Sequence, residues 1–295
     1  MRAIDFPQRN VCRFTPARSY IGITFLFCAL IWFSVFQSVP VAAAEALTAQ
    51  AIMERVDARD EGTSSIASST MVLIDRKGRQ RSRQLKQYAK EYDDTRKYMA
   101  HFLSPADLKD TVYINYDWRQ SGTEDDSWLY LPALNKVRRI SSEDRSGAFL
   151  GSDFSYADIS GFELGWYDYT LLKESEFVDG EDCWVIEYQA KEQFKNKVLS
   201  TTGDLKTQTW VRKDIFFQVK SKIWKERGGK IKYYLANNIE KIDGIWTAKK
   251  MQMITTKNEQ REHSSIFLIQ DIAYGGEVRD DIFIPDNMQR ATAMK

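Results

Sequence analysis

The stretch Tyr130–Ile159, YLPALNKVRRISSEDRSGAFLGSDFSYADI, decides how the rest of the chain is read. An apolar run, Trp128-Leu129-Tyr130-Leu131, stops at Pro132, and the basic step Lys136-Val137-Arg138-Arg139-Ile140 follows. A polar turn then leads into Gly147-Ala148-Phe149-Leu150-Gly151-Ser152-Asp153-Phe154. Large apolar residues spaced by glycines supply little packing material, so Phe149, Leu150 and Phe154 are expected to be exposed on a movable apolar flap over Gly147–Trp166.

Outward from this segment the pattern is that of a mainly β protein. Period-two runs predict strands at Ser68–Asp75, Gln80–Tyr92, Arg96–Leu103, Thr111–Tyr116, Ser127–Leu131 and Lys136–Ile140. A second set is predicted at Tyr169–Phe177, Cys183–Ala190, Thr207–Arg212, Phe217–Arg227, Lys230–Lys241, Ile245–Thr256 and Arg261–Tyr274. Turn residues punctuate them at Arg76–Arg79, Asp179-Gly180, Gly228-Gly229, Asp243-Gly244 and Lys257-Asn258. One helix, Leu47–Glu61, is expected in front, with Thr48 as N-cap, a Leu47/Ile52 staple and Gly62 as its stop. Evenly spaced hairpins with few helices indicate an open antiparallel β-barrel or strongly curved sheet, with an apolar cavity covered by helices. No Pro/Gly/Ser-rich linker divides the chain after residue 45, so 45–295 reads as one domain.

Residues 1–44 have a different composition. Arg2, Arg9, Arg13 and Arg18 face a single acid, Asp5, ahead of the apolar run Tyr20–Phe36 and Val41-Ala42-Ala43-Ala44. That is the layout of a secretory signal with cleavage after Ala44; retention as an N-terminal anchor is the alternative. Periplasmic localisation follows as an expectation. Of 42 basic and 41 acidic residues, the segment takes four and one, which leaves a slight acidic excess in the remainder. Nucleic acid is therefore not an expected partner. Among three cysteines, Cys12 and Cys28 lie in the signal, and Cys183 is expected to be a buried, inert strand residue.

The chemistry-bearing residues are sparse. His101 and His263 have no partner at metal-ligand spacing, and no nucleophile-elbow, phosphate-loop or dinucleotide pattern occurs. No catalytic residue, metal or cofactor is assigned, and Asp153, Asp158 and Glu163 read as solvated surface. The aromatic-rich third of the chain instead suggests an apolar binding cavity, with Tyr130, Leu131, Leu134, Phe149, Leu150, Phe154 and Phe162 as lipid-binding candidates. Burial of acyl chain would drive binding at about 0.8 kcal/mol per CH₂. Arg138 and Arg139 are candidates for charge at the cavity mouth, and strand alternation allows only one of them to face it.

LPALNKVRRI and GSDFSYADI resemble the outer-membrane lipoprotein-sorting (LolA-like) family. Thr209-Trp210-Val211-Arg212-Lys213-Asp214, Ile239–Thr247 and Asp281-Ile282-Phe283-Ile284-Pro285 are similar to that family's later strands and its ending. The resemblance implies an incomplete antiparallel barrel around helices, and a carrier for lipid or lipidated protein between inner and outer membrane. It also implies an inner-membrane RND/MMPL-type exporter and an outer-membrane acceptor as partners. It does not place the family chaperone's lid arginine on any residue here, so free lipid is the expected cargo. The competing readings are a periplasmic sensor domain that binds protein, and a hydrolase of envelope lipids.

Overall fold

In the computed structural model, residues 47–120 and 122–293 are described, and the segment 1–44 expected to be a secretory signal lies outside them. Helix α1 (Ala49–Asp57) is followed by strands β1 (Ser64–Ile74), β2 (Gln80–Glu91), β3 (Thr95–Ser104), β4 (Val112–Trp118), β5 (Asp126–Leu131) and β6 (Lys136–Ile140). After the short helix α2 (Tyr156–Ile159) come β7 (Tyr167–Val178), β8 (Glu181–Ala190), helix α3 (Lys195–Thr201) and β9 (Asp204–Arg212). Strands β10 (Phe217–Lys225), β11 (Lys230–Ile242), β12 (Ile245–Lys257) and β13 (Gln260–Tyr274) complete the sheet.

The thirteen strands form one antiparallel sheet in the order β6-β5-β4-β3-β2-β1-β13-β12-β11-β10-β9-β8-β7. It is curved and not closed. Two hairpin meanders are joined where β1 pairs with β13, so the free edges are β6 and β7, which are consecutive in the chain. The turns follow from local chemistry. Asp179-Gly180 and Asp243-Gly244 have positive φ at both residues, the geometry whose twist matches antiparallel strands. In the β1–β2 turn the Asp75 carboxylate accepts the amides of Lys77 (2.8 Å) and Arg79 (3.0 Å).

All thirteen expected strands are present, with ends shifted by a few residues. Helix α1 is shorter than its expected span because its cap falls at Ala58, four residues before Gly62. Its start is as expected: Thr48 Oγ1 accepts the amide of Ala51 at 3.1 Å. Helix α3 was not expected from the sequence.

Alternation divides the side chains between two faces of the sheet. On the inner face Met71, Leu85, Phe102, Tyr113, Leu129, Ile140, Ile223, Met253 and Phe267 belong to one buried cluster. On the other face of β3–β5, Met99, Val112, Ile114 and Tyr130 are covered by Val278, Ile282, Phe283 and Met288 of the C-terminal segment. Helix α1 buries Ile52 and Met53 against Ile186 and Val211 of β8 and β9.

Candidate functional site

Residues 141–166 connect the two free edges of the sheet, and on the way they enter its inner face. A 3-10 turn at Ser142–Ser146, capped by the Ser141 hydroxyl, leads into a tight loop whose Phe149 amide donates to the Phe154 carbonyl at 2.7 Å. Leu150 (φ 48°) and Gly151 (φ 78°) make the reversal in the left-handed region. Ser155 and Asp158 then form a reciprocal capping box that starts α2.

The loop directs both rings the same way. Phe149 is fully buried, edge-on to Tyr113 (5.2 Å between centroids) and Tyr156 (5.4 Å). Phe154 is 4% exposed and meets Phe267 edge-on at 5.2 Å. This corrects the expectation that Phe149 and Phe154 are exposed: they fill the hollow of the sheet, and the loop glycine serves the turn that puts them there. Each such burial contributes about 1.5–3 kcal/mol. Leu131 and Leu150 pack half-buried against the same cluster.

The other sequence candidates lie elsewhere. Tyr130 follows inner-face Leu129 and points to the opposite face, beneath the C-terminal segment. It does not share a hollow with Phe149. Leu134 is 63% exposed in the β5–β6 connection. Phe162 stacks on Tyr167 (5.0 Å, 10° between planes) and is 40% exposed. The two arginines separate as alternation requires. Arg138 lies on the side of Ile140 and donates to Asp144 of the flap at 2.6 Å, whereas Arg139 pairs with Asp126.

Polar contacts also fix the flap. Arg83 of β2 donates to the Leu150 carbonyl at 2.5 Å. The Asp153 carboxylate, with a side chain 2% exposed, receives hydroxyls from Thr255 (2.5 Å) and Ser265 (2.7 Å) and contacts His263 Nδ1. Asp153 is therefore not the solvated acid expected from sequence, and His263 is not isolated. Ser265 bonds the carboxylate instead of the imidazole, so the trio lacks the serine–base contact of a nucleophilic site. The other histidine, His101, meets Asp110 at 3.1 Å, and among the described residues no cluster suited to a metal ion occurs.

Beside the flap lies a cavity of about 430 Å³, lined by Glu143 and Ser146 ahead of the flap, by its Ala148, Ser152 and Asp153, by Leu199, Ser200, Thr202 and Gly203, and by Lys225, Glu226, Arg227, Lys230, Lys232, Thr255 and His263. Arg145, between the cavity-lining Glu143 and Ser146, forms a buried ion pair with Asp125, and the Gly161 amide donates to the same Asp125 oxygen at 3.3 Å. Asp117 abuts Gly161, and burial together with nearby Asp125 pushes its carboxyl up to about 7.

Comparison with known proteins gives a consistent result. A family model described as "Uncharacterized protein" matches residues 94–290. An outer-membrane lipoprotein-sorting protein domain from Vibrio parahaemolyticus is 29% identical, with a TM-score of 0.72 over 82% of this chain and 98% of that one. A DUF1329 family protein from Desulfovibrio piger is 27% identical, with a TM-score of 0.72 over 81% and 97%. A LolA superfamily protein from Nitrosomonas europaea shares the fold at 21% identity and a TM-score of 0.60, over 82% and 99%. No curated protein matches the sequence.

Proposed function

The chain belongs to the uncharacterized-protein family matched over residues 94–290, with the fold of LolA-like lipoprotein-sorting proteins, and from that premise we propose that it is a periplasmic carrier of lipid or lipidated protein. Residues 45–295 would act as one carrier domain behind a cleaved segment 1–44. The observation that carries this reading is the placement of the flap: the segment joining the two free edges inserts Phe149 and Phe154 into the inner face. Those rings occupy the apolar surface that acyl chains would take. On this reading the sheet and flap are a carrier in its closed, self-filled state, with cargo exchanging for the plug.

The exchange is physically balanced. Swinging the flap out exposes two phenyl rings and breaks the Asp153, Arg83 and Arg138 contacts, which costs several kcal/mol. An acyl chain returns about 0.8 kcal/mol per CH₂, so a chain of ordinary length can offset this while leaving net binding weak enough to reverse. Reversibility is what a shuttle between an inner-membrane donor, such as an RND/MMPL-type exporter, and an outer-membrane acceptor requires. Nothing in this scheme asks for catalysis, and we assign none. Among the described residues no helix is long and apolar enough to cross a membrane.

The test is native mass spectrometry of the full chain recovered from the periplasmic fraction without detergent, followed by lipid extraction. A discrete added mass that extracts as lipid, or uptake of lipid from vesicles, is the expected result. A bare protein that takes up no lipid would overturn the carrier reading in favour of a protein-binding sensor.

A further inference from the structure

Four neighbouring strands change character together along the inner face. On β10, Ile223 is followed two residues later by Lys225, and on β11, Tyr234 gives way to Lys232 and Lys230. On β12, Met253 is followed by Thr255; on β13, read in the opposite direction, Phe267 gives way to Ser265 and His263. The pairings Ile223↔Lys232 and Lys232↔Thr255 hold these residues side by side. Because alternate residues share a face, the surface under the flap is apolar at one end and cationic at the other. The 430 Å³ cavity lies at the cationic end, with Ser146, Ala148, Ser152 and Asp153 of the flap along its wall.

The cations there are not equally engaged. Lys225 donates to the Thr202 carbonyl at 2.5 Å and pairs with Asp204, so it acts structurally. Lys232, only 13% exposed, meets Asp158 at 3.5 Å and makes no hydrogen bond among the described residues. Its ammonium retains donors. Lys230 pairs with Glu262 at 2.9 Å, and Arg227, almost fully exposed, stands 3.8 Å from Glu226. Three carboxylates also line the cavity: Asp153 is saturated by its donors, while Glu143 and Glu226 sit at the outer rim. The inner end therefore offers a partly desolvated cation beside hydroxyls and an apolar slope.

We propose that this cavity binds the phosphate group of the cargo, Lys232 and Lys230 receiving it while the acyl chains follow Ile223, Met253 and Phe267 beneath the flap. The proposal rests on the carrier reading for the acyl chains. The phosphate chemistry alone would suit equally a lipid head group or a free phosphate ester. A phosphate within reach of Lys232 strengthens as an interaction because the side chain is shielded from water. It also competes for the ammonium that now faces Asp158 of the flap, so head-group entry would weaken a flap contact as the chains displace Phe154.

The test uses phosphatidylcholine vesicles carrying either phosphatidic acid or diacylglycerol with identical chains, scored by lipid recovered on the soluble full-length protein. Calorimetry with glycerol 3-phosphate reports the free ester. The expected result is a preference of about tenfold for phosphatidic acid, abolished in Lys232→Met, which still takes up diacylglycerol. Lys232→Met leaves Asp158 without its nearest cation, so Lys230→Met, whose partner Glu262 is partly exposed, serves as a second variant with the same expectation. Tight binding of glycerol 3-phosphate, lost in the same variants, would assign the site to a free ester and keep its phosphate chemistry. Equal uptake of the two lipids by wild type would overturn the phosphate site and leave the carrier standing. Failure of both lipids with glycerol 3-phosphate still bound would do the reverse, and silence of all three probes would overturn both.

Discussion

Asp153 and Ser265 hold each other twice: the Asp153 amide donates to Ser265 Oγ at 2.9 Å, and that hydroxyl donates back to Asp153 Oδ2 at 2.7 Å. The pair clamps a flap residue to the middle of β13, 112 residues away, in a buried setting.

Removing the carboxylate should open the clamp. Thr255 and Ser265 are 3% and 1% exposed, so Asp153→Ala leaves both hydroxyl protons without their acceptor, while Ser265 Oγ keeps only the backbone amide of residue 153. Hydrogen bonds to a charged group contribute about 1.5–3 kcal/mol, and the stability loss is expected near that range. Hydrogen exchange should accelerate in residues 147–161 and leave β7–β9 unchanged. Equal protection of the flap in variant and wild type would rule out a clamp.

Phe149 is a plug made of core material, which sets the consequences of truncating it. With Phe102, Tyr113 and Tyr156 packed around a fully buried ring, Phe149→Ala should cost about 3–5 kcal/mol by urea unfolding. The hollow left behind is apolar, so an environment-sensitive apolar dye should bind the variant more tightly than wild type. Weaker dye binding by a folded Phe149→Ala protein would mean that the ring lines a ligand site and does not block one. A Phe149→Asp change is a poorer probe, because it buries an unpaired charge.

The sheet was legible because period-two alternation and turn residues such as Asp243-Gly244 are local signals. The side to which each strand faces was harder. Tyr130 and Leu131 are adjacent, and only the C-terminal segment packed over Tyr130 decides which one looks inward. Asp153 looked like surface because its partners Thr255, His263 and Ser265 are more than a hundred residues distant. The cationic rim was missed for a related reason: Lys230 and Lys232 alternate along β11 as solvent-facing residues would. Their common side with Lys225 appears only once β10 and β11 are in register. Helix α3 has no side-chain cap and follows a 3-10 turn, so its start carries no sequence mark.

The Arg145–Asp125 pair should be costly to break and cheap to replace. Both side chains are over nine-tenths buried, and among the described residues Asp125 Oδ1 and Arg145 Nε have no hydrogen-bond partner. Arg145→Met leaves Asp125 as a buried lone charge and should lose about 3–5 kcal/mol. Arg145→Met combined with Asp125→Asn should recover much of it. A double variant as unstable as the single one, measured by the same urea titration, would show that packing and not charge holds this end of the flap.

Cys183 should be silent toward thiol reagents. The side chain is fully buried, and burial, with Asp182 and Glu181 adding, pushes the thiol up to about 11. Little thiolate exists at pH 8, and access is closed. Labelling should therefore track global unfolding in urea. Labelling of Cys183 itself in the native protein, located by peptide mapping, would contradict this burial.

Asp117 gives the flap's far end a pH dependence with a defined sign. Burial is the main cause of its rise to about 7, with Asp125, Glu163 and Glu61 adding and Arg119 opposing. In the unfolded chain the group ionises near 3.9. Between these values the folded state keeps a proton that the unfolded state has released, so stability falls as pH rises from about 4 to about 7 and then levels off. Glu163 and Asp57 are raised as well, burial again first among the causes, and act in the same direction. Moving from pH 8 to pH 6 should thus raise the unfolding midpoint. Asp117→Asn keeps the shape and cannot ionise, so it should be more stable than wild type at pH 8 and nearly matched at pH 5. Gly161→Ala drives a Cβ into the Asp117 carboxylate, which must shift to admit it, and should loosen this junction at both values. A wild-type midpoint that rises from pH 6 to pH 8, with Asp117→Asn following it in parallel, would remove Asp117 as the group responsible.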